Sequence, residues 1–392
     1  MSEIPEFLKV IQDLEKPTVM YVTGGGTEVF GSLLGKGGGS RFFLEGLINY
    51  CPESTNELLG EVPDHYASGA TARKLAMNAY DRAIFLSNGS DKACGVSFTA
   101  KLGLTHKDER DGRVHDIHFA YQDRYRTLGS SLILNKVRTR KEEEDLCVRF
   151  ILLKMGQLYN YANPMTFEIE DMSETPKDYG VLWFEGGNLK EDLINMIVQP
   201  FDNDAIAMDA LPPLPVIGSH IVGNHHVEKE VPGALIYSGS FNPFHQGHLD
   251  IVEHANLNYH QKVWLELSLK NTDKPTADFY SMLTRKDALH KRFKNHPWFA
   301  GTVITNKAFF SEKAALFERP RFIMGADTFN RFDDHAESHA DFLKQAGLIV
   351  YRREDVKIKW SNSLLSGGAD FVDFTPTKTS STEVRRNEAD KS

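Results

Sequence analysis

The feature that most constrains the fold of this chain is an alternation downstream of residue 233. Short apolar runs ("ALIYSG", "KVWLELSL", "GTVIT", "RFIMGAD", "GLIVYRR" and "DFVDFTP") are separated for the most part by helix-like stretches such as "GHLDIVEHANL". In "KVWLELSL", Val263, Leu265, Leu267 and Leu269 recur at period two, which puts them on one face of a strand. Strands joined by helical crossovers form βαβ units and hence a parallel sheet. The expectation is an α/β, doubly wound, Rossmann-like domain over 233–392.

The N-terminal half is also mixed. "PTVMYVTGGG" reads as a strand entering a glycine-rich turn, and "ATARKLAMNAYDRAI" as a helix. "ACGVSFTA", "RVHDIHFAY" and "SSLILNKV" read as strands, and "EEEDLCVRFILLKMGQLYNY" as a helix whose acidic first turn suits the helix dipole. These make a second α/β domain over 1–165. "GVLWFEGGNLKEDLINMIV" reads as one strand and one helix inside a connecting segment, 166–232. Its end carries Pro212, Pro213, Pro215 and Pro232, which break any regular period. His220, His225 and His226 lie in this linker without a cysteine or carboxylate at ligand spacing, so a solvated linker is expected rather than a metal site.

Composition excludes some function classes. A formal net charge of -9 argues against binding a nucleic-acid polymer, although a nucleotide needs only a local positive pocket. No run of about 18 apolar residues suggests a membrane span. The acidic N-terminus does not resemble a signal peptide, and the three separated cysteines offer no disulfide framework. A cytoplasmic setting is expected.

The stretch "SGSFNPFHQGH" carries the chemistry. Following a strand of an open parallel sheet, it reaches the edge where ligands bind, and the helix after it starts with backbone N–H donors. Gly239 permits a tight turn, Pro243 fixes the loop, and Gly247 is expected to leave room for a phosphate between His245 and His248. The i, i+3 spacing across a glycine does not fit a helical metal pair. An oxyanion site is the better reading, with packing still open for either histidine singly.

"GSFNPFHQGH" resembles the first signature of the HxGH nucleotidylyltransferase superfamily. "RFIMGADTFNRFDD" and "TKTSSTEVRRN" follow in the order found in nicotinamide and nicotinate mononucleotide adenylyltransferases, the resemblance covering roughly 233–388. It implies attack of an acceptor phosphate on the α-phosphorus of a nucleoside triphosphate, ATP favoured, with release of pyrophosphate and Mg²⁺ accompanying the triphosphate. Of the residues it makes catalytic, His245 and His248 would then contact the triphosphate and the transition state, and Arg385 would bring a guanidinium to the outer phosphates. Ser381 and Thr382 would donate to the outer phosphates, and Gly239, Ser240 and Phe241 would approach the acceptor. Lys270 and Lys274 would reach a phosphate, and Arg285 matches an arginine near a helix start in relatives. Gly325 belongs to the same nucleotide-binding strand end, from which Asp327 would bind a ribose hydroxyl, although Asp327 as a helix cap stays open. Relatives continue some tens of residues past the last motif. Here "RNEADKS" follows, so support for that motif is expected from elsewhere, with the N-terminal half as the candidate. A cytidylyltransferase or another adenylyltransferase, and a catalytically silent nucleotide-binding regulator, remain as alternatives.

Upstream, "VTGGGTEVFGSLLG", "GLINYCPESTNELLG" and the region after "CGVSFTA" resemble, in order, segments of the CinA C-terminal family, whose active members deamidate nicotinamide mononucleotide. The family's serine has no serine counterpart near Thr23, and its lysine is replaced by Thr55. Tyr50 is retained and Ser97 falls near the family's threonine. Loss of the nucleophile and its cationic partner implies a vestigial pocket rather than an active, bifunctional deamidase. The glycines of "TGGGTE" and "GKGGGS" could still cradle a phosphate on their N–H groups. Both kinds of domain often assemble, which implies a homo-oligomer.

Overall fold

The computed structural model describes residues 9, 11–104, 113–124, 126–159, 177–182, 197–200, 233–270, 275–305, 307–314, 317, 319–334, 342, 344–352, 356–358 and 369–377. The chain divides into two compact units, Met1–Phe184 with Asn195–Pro215 and Pro275–Tyr280, and Glu185–Ile194 with Val216–Lys274 and Ser281–Ser392.

The first unit is built on a seven-stranded sheet of order β2-β1-β3-β4-β5-β6-β7. Its strands are β1 (Thr18–Thr23), β2 (Phe43–Ile48), β3 (Cys94–Lys101), β4 (His115–Gln122), β5 (Arg126–Leu134), β6 (Lys177–Leu182) and β7 (Ile197–Pro200). β1 runs parallel to β2 and β3, and every later pairing is antiparallel. The helices are α1 (Val29–Leu34), α2 (Pro52–Leu59), α3 (Gly69–Leu86) and α4 (Arg140–Tyr159).

β1 shows why the sheet is covered on both faces. Met20 and Val22 enter a core with Leu146, Phe150 and Ile151 of α4, while Val19 and Tyr21 enter another with Leu75, Ala79 and Ala83 of α3. This is period two with both faces apolar, as a buried parallel strand requires. β2 has no such pattern, which is why the sequence does not announce it. It is an edge strand with Leu44, Leu47 and Ile48 exposed.

The segment expected to connect the domains supplies β6 and β7. Ile197 and Val198, at the end of the stretch read as a helix, open a strand instead, because Ile197–Pro200 pairs antiparallel with β6 and satisfies its edge. The linker residues 201–232, with His220, His225 and His226, lie outside the described residues.

The second unit is a six-stranded sheet, all parallel, of order β10-β9-β8-β11-β12-β13. It comprises β8 (Leu235–Gly239), β9 (Val263–Ser268), β10 (Phe299–Thr305), β11 (Arg321–Gly325), β12 (Gly347–Tyr351) and β13 (Ala369–Val372). Its helices are α5 (Gln246–Tyr259), α6 (Phe279–Phe293), α7 (Phe310–Ala314) and α8 (Ala326–Asp334). Renumbered within the unit, the order is that of the doubly wound dinucleotide-binding fold, with its switch point between β8 and β11. Val263, Leu265, Leu267 and Leu269 are all buried, as the period of "KVWLELSL" requires.

The period hid Glu266, wholly buried on the same strand. Its carboxylate meets Lys313 Nζ of α7 at 3.2 Å and accepts from Thr305 Oγ1, while Lys313 also donates to Ser268 Oγ at 2.7 Å. A buried charge needs such a closed set of partners.

Candidate active site

The loop after β8 and the start of α5 build the site. His245 is the N-cap of α5, with extended backbone (φ -120°, ψ 178°). Its N–H donates to Nδ1 of His248, the N3 residue, at 3.2 Å. The i, i+3 spacing that rules out a metal pair is therefore the spacing of a capping box, with a histidine in the place of glutamate. The two imidazoles stack with centroids 3.6 Å apart and planes at 21°.

His248 sits inside an aromatic cage of Tyr237 (5.9 Å between centroids), Phe241 (5.1 Å) and Phe244 (5.2 Å). Burial in that cage, and secondarily the neighbouring His245, pushes its pKa down to about 3. It is neutral at physiological pH. Because Nδ1 accepts a hydrogen bond, the single proton is on Nε2, so His248 offers a neutral N–H donor.

Gly247 has a different use from the expected one. A Cβ there would meet the carbonyl oxygen of Thr377 at 2.6 Å. The space beside the glycine is taken by the returning backbone of residues 373–377. That strap is pinned where Thr377 N–H donates to Asp250 Oδ2 at 2.7 Å and where Phe374 stacks on His254 at 4.2 Å. Gln246 Nε2 holds the other Asp250 oxygen at 2.7 Å. Thr377, the first residue of the stretch that carries the last motif, is thus held by α5 of the same unit. Ser381, Thr382 and Arg385 themselves lie outside the described residues, as does Lys274.

The other candidates are distributed around this centre. Gly239 and Gly325 are the last residues of β8 and β11, the strands flanking the switch point. Asp327 follows in the first turn of α8, one residue inside the helix rather than at its cap, with Arg331 Nη2 at 3.7 Å. Arg285 of α6 donates to the Ser240 carbonyl at 3.4 Å, so it reaches the loop. Phe241 has φ 40° and is buried, its ring packed against those of Tyr237, Phe244 and His248. Lys270 is exposed just past the end of β9, and among the described residues no hydrogen bond ties it to the loop.

Sequence reasoning missed Asp250, Thr377 and Arg292. Arg292 Nη1 donates to the Phe244 carbonyl at 3.2 Å. The aromatic cage could have been found, since Tyr237, Phe241 and Phe244 all precede His248 closely. The Asp250–Thr377 pair is 127 residues apart and leaves no local signal.

In the first unit, Thr23, Tyr50 and Thr55 line a cavity of about 880 Å³ at the carboxyl ends of β1 and β3, together with Gly24, His118 and Arg140. Ser97 does not join them; its hydroxyl donates to the buried Ala72 carbonyl. Thr55 Oγ1 is held between the carbonyl and the side-chain amide of Asn49. Two features oppose a phosphate cradle at "TGGGTE". Gly24 (φ 80°) is pressed so closely on the Ala100 carbonyl that a Cβ would fall 1.9 Å from its oxygen. In addition, Glu144 accepts from Thr27 N–H at 2.8 Å, placing a carboxylate where an anion would go.

The strand-end loop, the capped helix and the strap belong to one continuous stretch that compares with known proteins. Residues 236–387 match the cytidylyltransferase-like family. The matched stretch contains the HxGH loop, the "GAD" strand end and the "STEVRR" motif, so the chain carries a nucleotidylyltransferase-like domain, and the family supports a nucleotidyltransferase function. No curated protein matches the chain.

Among solved structures, the chain is similar to the competence/damage inducible protein CihA from Agrobacterium tumefaciens, with 20% identity, TM-score 0.33, and 40% of this chain and 96% of that one covered. It is similar to a competence or damage-inducible protein from Enterobacter asburiae at 17% identity, TM-score 0.33, covering 40% and 98%. A CinA superfamily protein from Klebsiella pneumoniae follows at 12% identity, TM-score 0.31, covering 41% and 97%. Among the described residues no helix is long and apolar enough to cross a membrane.

Proposed function

We propose that the cytidylyltransferase-like domain transfers adenylate from ATP to nicotinamide or nicotinate mononucleotide, releasing pyrophosphate and making the dinucleotide. The observation that carries nucleotidyl transfer is the family match over 236–387, with its first two motifs at the ends of β8 and β11. The narrower acceptor assignment draws on the resemblance of "GADTF" and "STEVRR" to mononucleotide adenylyltransferases.

In this reading an oxygen of the acceptor phosphate bonds to the α-phosphorus as the bond to the pyrophosphate oxygen breaks. No covalent enzyme intermediate forms, so the protein acts by positioning and by stabilising charge on phosphorus. His248 Nε2–H is a preorganised donor for the transferring group, and being neutral it gives up no proton. His245 stacks against it and presents its ring beside the N-terminus of α5, where the dipole favours anions. Arg285 steadies the loop through Ser240. Ser381, Thr382 and Arg385 would close on the outer phosphates once the strap has passed Gly247. Mg²⁺ would neutralise phosphate charge and would arrive with the triphosphate.

The name of the matched family favours a second reading, with CTP as donor and another phosphate acceptor. One assay separates them: pyrophosphate release measured with each NTP, Mg²⁺ and a panel of phosphorylated acceptors. Turnover with ATP and a pyridine mononucleotide alone supports the first reading, and turnover with CTP the second. No turnover with any pair would leave a nucleotide-binding regulator.

A further inference from the structure

The far side of α6 carries a cavity that the transfer reaction does not use. It has a volume of about 320 Å³ and is lined by Lys286, Asp287, His290, Lys291 and Lys294. An α-helix turns about 100° per residue, so Lys286, His290 and Lys294 lie roughly 100–180° round the axis from Arg285 and Arg292, which hold the HxGH loop. Lys294 N–H still donates to the His290 carbonyl at 3.0 Å, so the stripe continues past the helix end.

Lys286 is the unusual member. It is only 6% exposed, yet among the described residues it has neither a hydrogen bond nor an ion pair. Its Nζ is not among the fully enclosed polar atoms, so the tip opens where the cavity is. Cations in the last turn of a helix complement its dipole, which accounts for His290 and Lys291. That effect does not extend to a buried lysine in mid-helix. Burial pushes the Lys286 ammonium down from its usual range, with Asp287 opposing. An ammonium taken out of water without a partner is costly. Three lysines and one carboxylate line this cavity, and a partner suited to that excess of cations is an anion with several acceptor oxygens.

We propose that this cavity is a second anion site, separate from the HxGH loop, that takes a phosphate or pyrophosphate group with Lys286 as its central ligand. The geometry uses a different face of α6 from the loop contacts, and the site stands whether or not the domain transfers adenylate.

Pyridoxal 5′-phosphate tests it on the full chain, because it carries both a phosphate and an amine-reactive aldehyde. Lys286 Nζ, in its unprotonated form, adds to the aldehyde carbon, water leaves, and borohydride reduces the imine to a secondary amine that peptide mapping locates. Lys286 should be among the first lysines labelled at neutral pH. Inorganic pyrophosphate should slow labelling there about tenfold, the effect of roughly one charge-assisted contact, while chloride at equal ionic strength should not. In a Lys291→Gln/Lys294→Gln variant the protecting concentration should rise by about tenfold. An unlabelled Lys286, labelling that pyrophosphate does not slow, or protection unchanged in the variant overturns the proposal. Pyrophosphate release from NTPs is assayed separately, so failure of one reading is not mistaken for failure of the other.

Discussion

His248 joins two roles in one ring, donor at Nε2 and acceptor at Nδ1, and substitutions separate them. His248→Ala removes both and empties part of an aromatic cage. From sequence alone such a change would be expected to spare stability; the packing around the ring corrects that, and a loss of about 1–3 kcal/mol is expected. His248→Asn keeps an acceptor for the His245 N–H but lacks the distal donor. Its turnover should fall by roughly 10²-fold while its melting temperature stays closer to wild type than that of His248→Ala. Equal turnover in wild type and His248→Asn would remove Nε2 from the chemistry. The titration follows the same logic. The folded pKa of about 3 lies below the ordinary histidine value, so the unfolded chain binds more protons between those two values. Stability should therefore be unaffected by this group above pH 6.5, then fall by up to about 1.4 kcal/mol per pH unit toward pH 3. Denaturant midpoints for wild type and His248→Asn across that range give the difference.

At the scale of elements, α5 and the strap depend on each other. Gly247→Ala would drive a methyl group into the Thr377 carbonyl. The strap must then lift, and with it the segment leading to Ser381 and Thr382. Turnover should drop at least about tenfold, the order expected when positioning is lost. Far-UV circular dichroism should hardly change, since α5 itself tolerates alanine. Full activity in Gly247→Ala would show that the strap does not bear on the site. α4 shows how far local reading extends. Its acidic start suits the helix dipole, but each glutamate has a separate duty. Glu142 accepts from Thr139 N–H at 2.6 Å in a capping box, Glu143 meets His115 at 2.6 Å, and Glu144 holds Thr27. Only the first of these contacts is local enough to be foreseen.

At the scale of the molecule, each unit carries its own hydrophobic core, and the second also encloses the Glu266–Lys313 pair. Lys313→Met leaves a buried carboxylate without its counter-charge and should cost about 3–5 kcal/mol. Lys313→Met combined with Glu266→Leu should recover much of that loss, because an apolar pair avoids the desolvation penalty. Chemical denaturation of the two variants reads the difference, and a double variant no more stable than the single one would contradict it.

What the sequence determined by itself is what repeats or lies close along the chain. Period-two runs and helix signals specified the parallel sheet of the second unit, and the H-x-G-H spacing specified a strand-end loop capping a helix. Both rest on interactions within a few residues, although the sequence put the helix start near His248 and the structure showed His245 to be its cap. The tertiary structure decided the rest. It made Gly247 a seat for the Thr377 carbonyl, filled the glycine loop of the first unit with Glu144, and turned Ile197 and Val198 from the end of a helix into strand by offering them an unpaired edge. It also removed Ser97 from the cavity that Thr23, Tyr50 and Thr55 share. Each of those outcomes depends on a partner far away in sequence, and a close approach of that kind leaves no periodic trace.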